Sequence, residues 1–237
     1  MKNKNQKIFV FDVGNTLIEK PSNCMVQTLA DDLIALQENG NIIGVATMRN
    51  IAMLNELLIQ VKFDFIIALN GAYVECENQI IIDSPIKNNE LTEILKVIDK
   101  NKIECKLYTK HEIQTSIRQI ETVYGIELRE CSEVIDTLKK EFPSFVFHVW
   151  EKGKTCDIHS IDVSKSIGMQ KVCHFFDIPS QMSTAFGDGF NDIGLFKLCG
   201  ISVAMGSSPQ ELKRLATFVT KSVEDNGVSW ALKNFIL

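Results

Sequence analysis

Four apolar residues, Ile8 to Phe11, run without a break into Asp12, and Gly14-Asn15 follow at once. An unbroken apolar tetrad is the pattern of a strand buried on both faces, and such strands belong to parallel sheets covered by helices. The next segments keep that rhythm. Between Cys24 and Glu38 the residues Val26, Leu29, Ala30, Leu33, Ile34 and Leu36 fall on a helical stripe closed by Asn39-Gly40. Ile42 to Ala46 predicts a second strand; Ile51, Leu54, Leu57, Leu58 and Val61 a second helix; Phe65 to Leu69 a third strand ended by Asn70-Gly71. This βαβαβ order predicts an α/β protein with a Rossmann-like, doubly wound parallel sheet and right-handed crossovers.

From about Ser84 the pattern changes. Helical stretches at Glu90 to Asp99 and Ser132 to Glu141 mix with strand-like runs at Ile103 to Tyr108, Phe145 to Trp150 and Cys156 to His159, and Lys152-Gly153-Lys154 reads as a hairpin turn. Whether His111 to Tyr124 forms one helix stays open. The sheet domain is therefore expected over 1–83 and 157–237, with an α+β module inserted at 84–156. After His159 the rhythm resumes: a helix from Val163 to Phe176, a strand at Ser183 to Phe186, the loop Gly187 to Asp192, a short helix, a strand at Ile201 to Met205, a helix after Gly206-Ser207-Ser208, and a last helix at Val228 to Phe235.

Length and charge narrow the function. At 237 residues the chain can bury a full core, and its 25 basic and 30 acidic residues are interspersed with a formal net charge of -5. There is no basic stripe of the kind nucleic-acid binding needs. Met1 to Lys7 is polar, without the apolar stretch of a signal peptide, and no apolar run is long enough to cross a bilayer. The seven cysteines, at 24, 76, 105, 131, 156, 173 and 199, include no Cys-x-x-Cys pair. Reduced thiols in a cytoplasmic protein, with no membrane or nucleic-acid partner, are the expectation.

The chemistry gathers where the predicted strands end: Asp12, then Thr47 with Arg49, then Asp188, Asn191 and Asp192. In open α/β sheets ligands sit at that edge. Taken singly, Asp12 and Asn15 read first as turn and cap residues, Lys165 as a solvated lysine at a helix start, and Gly187 to Asp192 as an ordinary polar loop. Taken together, carboxylates and small polar donors on one rim suit Mg²⁺, a hard cation that binds through one or two carboxylates and substrate phosphate.

The ordered set Phe-Asp-x-x-x-Thr-Leu, Ala-Thr-x-Arg, Asn-Gly-Ala, Ser-Lys and Gly-Asp-Gly-x-Asn-Asp resembles the haloacid dehalogenase (HAD) superfamily, in particular its Cof-type sugar-phosphate phosphatases. The likeness extends through Val203-Ala204-Met205-Gly206 and Glu224 to Val228, and the inserted module falls where such enzymes carry a cap. The resemblance implies that Asp12 attacks phosphorus to form an aspartyl-phosphate. Thr47, the Met48 backbone N–H, Lys165 and Asn191 would hold the phosphoryl group. Asp12, the Gly14 carbonyl and Asp188 would hold Mg²⁺, with Asp192 either orienting Lys165 or standing behind the metal ligands and Arg49 supporting the site from behind. The implied partner is a small phosphorylated metabolite, and the implied assembly a monomer or homodimer.

One departure carries chemical weight. The family's phosphatases read Asp-x-Asp-Gly-Thr, and here Gly14 replaces the second Asp and Asn15 the Gly. That second Asp protonates the leaving oxygen and later assists water; Gly14 has no side chain to carry a proton. Met48 also stands where a Gly is usual. The expected function is accordingly a phosphohydrolase with altered proton transfer. The alternative is a relative that binds Mg²⁺ and phosphate without turnover. Asp-Val-Gly-Asn-Thr also resembles the first phosphate hairpin of actin and sugar-kinase-like ATPases, a reading that requires a second such hairpin. His148, His159 and His174 are expected to be structural or exposed, while Phe142, His148, Trp150 and Lys154 are candidates to face a cap–core cleft.

Overall fold

Ile8 and Val10 turn to one side of strand β1 (Ile8–Phe11) and Phe9 and Phe11 to the other, each side into its own buried cluster. In the computed structural model, which describes residues 6–19, 22–116, 122–150 and 154–236, this strand lies at the centre of an eight-stranded sheet. Helix α1 (Gln27–Glu38) leads to β2 (Ile42–Ala46), and α2 (Asn55–Gln60) to β3 (Phe65–Ala68). The hairpin β4 (Tyr73–Cys76) and β5 (Gln79–Asp83) completes that edge. On the other side of β1 lie β11 (Ser183–Gly187), β12 (Ile201–Ala204) and β13 (Phe218–Val219). The order β3-β2-β1-β11-β12-β13 is parallel throughout and reverses direction of growth between β1 and β11. That reversal is the switch point where an open α/β sheet leaves a crevice.

Helices cover both faces, as double winding requires. Leu29 and Leu33 of α1, Leu57 of α2 and Ala231 of α8 (Gly227–Ala231) pack with Phe9, Phe11, Phe186 and Val203. Met169 and Val172 of α5 (Lys165–Phe176), Leu195 of α6 (Ile193–Leu198) and Leu212 of α7 (Gln210–Leu215) pack on Ile8, Val10, Phe65 and Ile67. The sheet is not wholly parallel, because β4 and β5 pair antiparallel at its edge. Their turn residues, Glu77 and Asn78, both take positive φ (48° and 64°), the geometry for which Asn-Gly is the usual signature. Glu-Asn hides it.

The second unit is a five-stranded antiparallel sheet, β7-β6-β8-β10-β9. It comprises α3 (Asn88–Lys100), β6 (Cys105–Tyr108), β7 (Ile113–Gln114), β8 (Gly125–Arg129), α4 (Ile135–Glu141), β9 (Phe145–Trp150) and β10 (Thr155–Ser160). A helix over 111–124 is not what forms: Ile113–Gln114 is a strand, and 117–121 lie outside the described residues. The expected turn at 152–154 lies mostly outside them as well. Strand β10 keeps its pairing with β9 as far as Ser160, beyond residue 156. Ile126, Leu128, Cys156 and Ile158 bury one face of this sheet against α3 and α4. By the period of two, Tyr108, Glu127, Asp157 and Trp150 are left to the opposite face, which looks onto the crevice. Among the described residues no helix is long and apolar enough to cross a membrane.

Phe11 and Phe186 stack at the centre of the large sheet with ring centroids 5.0 Å apart, and neither is exposed. Truncating Phe186 to Ala is expected to cost about 3–5 kcal/mol, read as a lower midpoint in urea denaturation.

Candidate active site

The carboxyl end of β1 delivers Asp12 to the switch point, where its backbone N–H donates to the Phe186 carbonyl of β11 (2.9 Å). Lys165 is the first residue of α5, capped by Ser164, whose Oγ accepts from the Ile167 N–H at 3.1 Å. That placement aims its side chain inward rather than into solvent, with an exposure of 0%. Its Nζ donates to Asp12 Oδ1 at 2.5 Å and to Asp192 Oδ1 at 2.7 Å. Asp192 Oδ2 accepts the backbone N–H groups of Asp188 (3.1 Å) and Gly189 (3.0 Å), so both its oxygens are engaged. The carboxylate folds back so tightly that a Cβ at Gly187 would lie 2.5 Å from it. This explains the first glycine of Gly-Asp-Gly-Phe-Asn-Asp.

Asp188 faces Asp12. Together with Asp192 these side chains offer oxygens within 4.8 Å of one another. Burial, first, raises the Asp12 carboxyl above its ordinary value; Lys165 opposes that and Asp188 adds to it. Asp188 is raised by burial too, partly offset by Asn15, whose Nδ2 donates to Asp188 Oδ2 at 3.0 Å. Asp192 is raised to about 6, again by burial, against the pull of Lys165. For Lys165 burial acts downward, but Asp12 and Asp192 together outweigh it and hold the ammonium charged beyond the ordinary lysine value. Two carboxylates brought together with a lysine on one side and hard oxygens toward the crevice fit a divalent cation. Asp12 and Asp188 are the side chains that would hold it, and Gly14 lines the same cleft; Asp192 is committed to Lys165 and the loop amides.

Asn15 adopts φ 56°, the left-handed region. Asn tolerates it better than most residues, which accounts for Asn at a position where Gly is usual. Gly14, by contrast, has no positive φ, so the backbone there accepts a side chain.

Thr47 lies buried just past β2, and its Oγ1 accepts from the Arg49 N–H (3.2 Å). Asp12, Gly14, Asn15, Thr47, Met48, Arg49, Asp188 and Asn191 all line one cleft of roughly 560 Å³ between the two units. Arg49 is in the wall of that cleft rather than behind it. Its Nη1 is buried with no hydrogen-bond partner among the described residues, burial lowers its pKa, and Asp12 opposes that shift. The roof is Tyr108, Glu127, Trp150, Thr155 and Asp157.

Of the cap candidates, Trp150 lines the cleft. Phe142 instead packs edge-on against Phe145 and borders a groove on α3. His159 is buried against Asn70, half-buried His148 packs on His159 rather than lining the cleft, and His174 lies in the last turn of α5. Three polar residues of the cap–core junction were not singled out from sequence. Asn50 Nδ2 donates to the carbonyls of Thr109 (3.2 Å) and Glu112 (3.0 Å), tying the loop after β2 to the cap. Asn70 and His159 make the matching tie on the other side. Asn70 was visible as a turn signal and as the first residue of Asn-Gly-Ala, with no contact assigned to it.

A crevice at a sheet switch point, roofed by the inserted unit and floored by a lysine-paired aspartate, defines a capped α/β protein with an acidic site at the sheet rim. The profile of the haloacid dehalogenase-like hydrolases matches residues 9–127 and 113–232, and the chain belongs to that family. It is 26% identical to YkrA of Bacillus subtilis (strain 168), named provisionally as a phosphatase, over 96% of each chain. It is 20% identical to the 5-amino-6-(5-phospho-D-ribitylamino)uracil phosphatase YcsE of the same organism, over 98% of this chain and 96% of the relative. The fold matches BT1666 of Bacteroides thetaiotaomicron (TM-score 0.86, 22% identity, covering 97% and 95%). It also matches the HAD subclass IIB sugar phosphatase BT4131 (TM-score 0.85, 24% identity, covering 98% and 100%). The ATPase reading fails here. Where a second phosphate hairpin was required, β11 passes into a 3₁₀ turn, Phe190–Asp192, and directly into α6.

Replacing Lys165 with Met leaves two buried carboxylates without their cation, and a loss of about 3–5 kcal/mol at pH 7 is expected in denaturant titrations. In the unsubstituted chain the folded state holds this proton more tightly than the unfolded chain. The lysine's contribution is therefore complete below the ordinary value of 10.5 and is lost as pH rises through the higher folded value. Unfolding free energies measured across the alkaline range check the sign.

Proposed function

We propose that the chain is a Mg²⁺-dependent phosphohydrolase acting on a small phosphorylated metabolite of the sugar-phosphate kind, with Asp12 as nucleophile. The observation that carries the reading is the setting of Asp12: one oxygen held by a fully buried ammonium, the residue lining a cleft beside Asp188, Thr47 and an arginine N–H that has no partner among the described residues. The names of the relatives, which are phosphatases, point the same way.

Lys165 fixes the Asp12 carboxylate through Oδ1, leaving Oδ2 to attack phosphorus. The P–O bond to the leaving group breaks with its electron pair going to the departing oxygen, and an aspartyl-phosphate remains. Thr47 Oγ1, the Met48 N–H, Asn191 and the Arg49 guanidinium surround the phosphoryl oxygens and stabilise charge that grows in the transition state. Bound at Asp12, Asp188 and the Gly14 carbonyl, Mg²⁺ would supply electrostatic neutralisation of the phosphoryl group. Water then attacks phosphorus, the P–O bond to Asp12 breaks with its electron pair returning to the carboxylate, and inorganic phosphate leaves with the water's proton passing to solvent or phosphate. Both steps call for a proton carrier next to the nucleophile, and Gly14 supplies none. Substrates whose leaving groups depart without protonation are therefore favoured. Gly14 also supports a second reading, that of a Mg²⁺- and phosphate-binding relative without turnover.

Hydrolysis of p-nitrophenyl phosphate and of sugar phosphates separates the two. Asp12→Asn is expected to abolish Mg²⁺-dependent turnover, and chelation with EDTA to do the same; an unchanged rate in Asp12→Asn would rule out covalent catalysis. Gly14→Asp, which the backbone accepts, is expected to raise kcat on sugar phosphates by about 10²- to 10⁴-fold. The gain should be smaller on p-nitrophenyl phosphate, whose leaving group needs no proton.

A further inference from the structure

Strand β3 ends in an unusual turn: Leu69, Asn70 and Gly71 all take positive φ, at 51°, 55° and 97°. For a leucine this region is unfavourable, so surrounding contacts must hold the turn in place. Gly71 lies so close to the Ser164 carbonyl that a Cβ would overlap it, which presses the turn onto the residue preceding Lys165. From the turn, the Leu69 N–H donates to the Arg49 carbonyl (3.0 Å) and the Asn70 N–H to the Thr47 carbonyl (2.9 Å). The phosphate loop rests on it.

The Asn70 side chain is buried and looks two ways. Its Oδ1 accepts from Asn191 Nδ2 at 3.5 Å, and its Nδ2 donates to His159 Nε2, on the cap strand β10, at 2.7 Å. His159 Nδ1 donates to the Ser160 carbonyl (2.8 Å), so its Nε2 carries the lone pair that receives Asn70. His148 Nε2 lies 3.0 Å from the same atom, with the two rings stacked at 5.1 Å, and His148 stacks in turn on Trp150. The Trp150 ring reaches the motif loop of the core: a Cβ on Gly189 would sit 3.8 Å from its Cη2.

We propose that Asn70 is a positioning residue that couples the seating of the cap to the geometry of the phosphoryl site. It reaches Thr47 through its backbone, Asn191 through Oδ1 and the cap through Nδ2. Displacing the cap strand therefore loosens Asn191, and an empty phosphoryl site leaves the cap less firmly held. The assignment rests on the phosphohydrolase reading for the role of Asn191.

Asn70→Gly keeps the left-handed backbone and deletes only the amide. With Mg²⁺ and p-nitrophenyl phosphate, it is expected to lower kcat/KM by about tenfold to a hundredfold, mainly through kcat, with a thermal midpoint lowered by a few degrees but still above the assay temperature. Because it acts through Asn191, the double variant Asn70→Gly/Asn191→Ala is expected to be within about twofold of the weaker single variant. Multiplicative losses, or a folded Asn70→Gly protein with normal kcat/KM, would overturn the proposal. If Asn70→Gly does not fold, His159→Ala makes the same test from the cap end: it must lower kcat and be non-multiplicative with Asn191→Ala, and a normal kcat/KM sinks the idea. Absence of any Asp12-dependent turnover in the unsubstituted protein would defeat the phosphohydrolase reading by itself. The coupling is then decided by calorimetric binding of inorganic phosphate with Mg²⁺. Non-multiplicative weakening in the same variants supports it, and independent or absent effects overturn it.

Discussion

One ammonium group organises this molecule. Lys165 Nζ sits with no solvent contact between Asp12 and Asp192, which belong to segments far apart in sequence. Burying three ionised groups is costly, and the arrangement holds only because each is paired or hydrogen-bonded. The constraint propagates outward. Helix α5 must begin immediately behind the sheet rim, the backbone at Gly187 must make room for the Asp192 carboxylate, and the loop amides of Asp188 and Gly189 must point at its second oxygen. What results is an Asp12 carboxylate held in one orientation, the kind of pre-organisation on which catalytic sites depend.

The two units divide the labour by the period of their strands. In the core, every residue of β1 is buried and only its end carries chemistry. In the cap, apolar and polar residues alternate, so that Ile126, Leu128 and Ile158 bind the cap together while Glu127 and Asp157, on the other face, roof the cleft. Glu127 is held there by Lys106 (3.0 Å), Tyr108 (2.8 Å) and Arg129 (3.2 Å), and Asp157 accepts from the Trp150 indole (2.6 Å). A roof with its polar groups already oriented selects among substrates more sharply than a flexible one. The cysteines take no part in this. Six of the seven are buried free thiols, and burial raises the pKa of Cys76, Cys156 and Cys199 to about 12, which leaves them as small core hydrophobes.

Gly14 marks the point where structure and inherited chemistry part. The backbone there does not need a glycine, in contrast to Gly71 and to Asn15, whose positive φ values do constrain the choice of residue. The missing side chain is thus a chemical difference rather than a folding requirement. It falls in the wall of the cleft, beside Asp12.

The sheet and the rim were legible from residue order alone, because a run such as Ile8–Phe11 has no stable option except a strand covered on both sides, and its polar successor must then emerge at an edge. So the sequence by itself determined which residues could meet: Asp12, Thr47, Lys165, Asp188, Asn191 and Asp192 all sit just past a strand or at a helix start. Short edge elements escaped it. The turn at Glu77-Asn78 lacks the usual glycine, and β7 spans only Ile113–Gln114, too few residues for any period to show. Only the tertiary structure decided which partners those side chains take: that Lys165 is buried rather than solvated, that Arg49 walls the cleft, and that Asn70 and His159 join core to cap. Such contacts span up to 153 positions of chain. Local pattern carries the direction in which a side chain leaves its own element, whereas its partner is set by how separate elements stack.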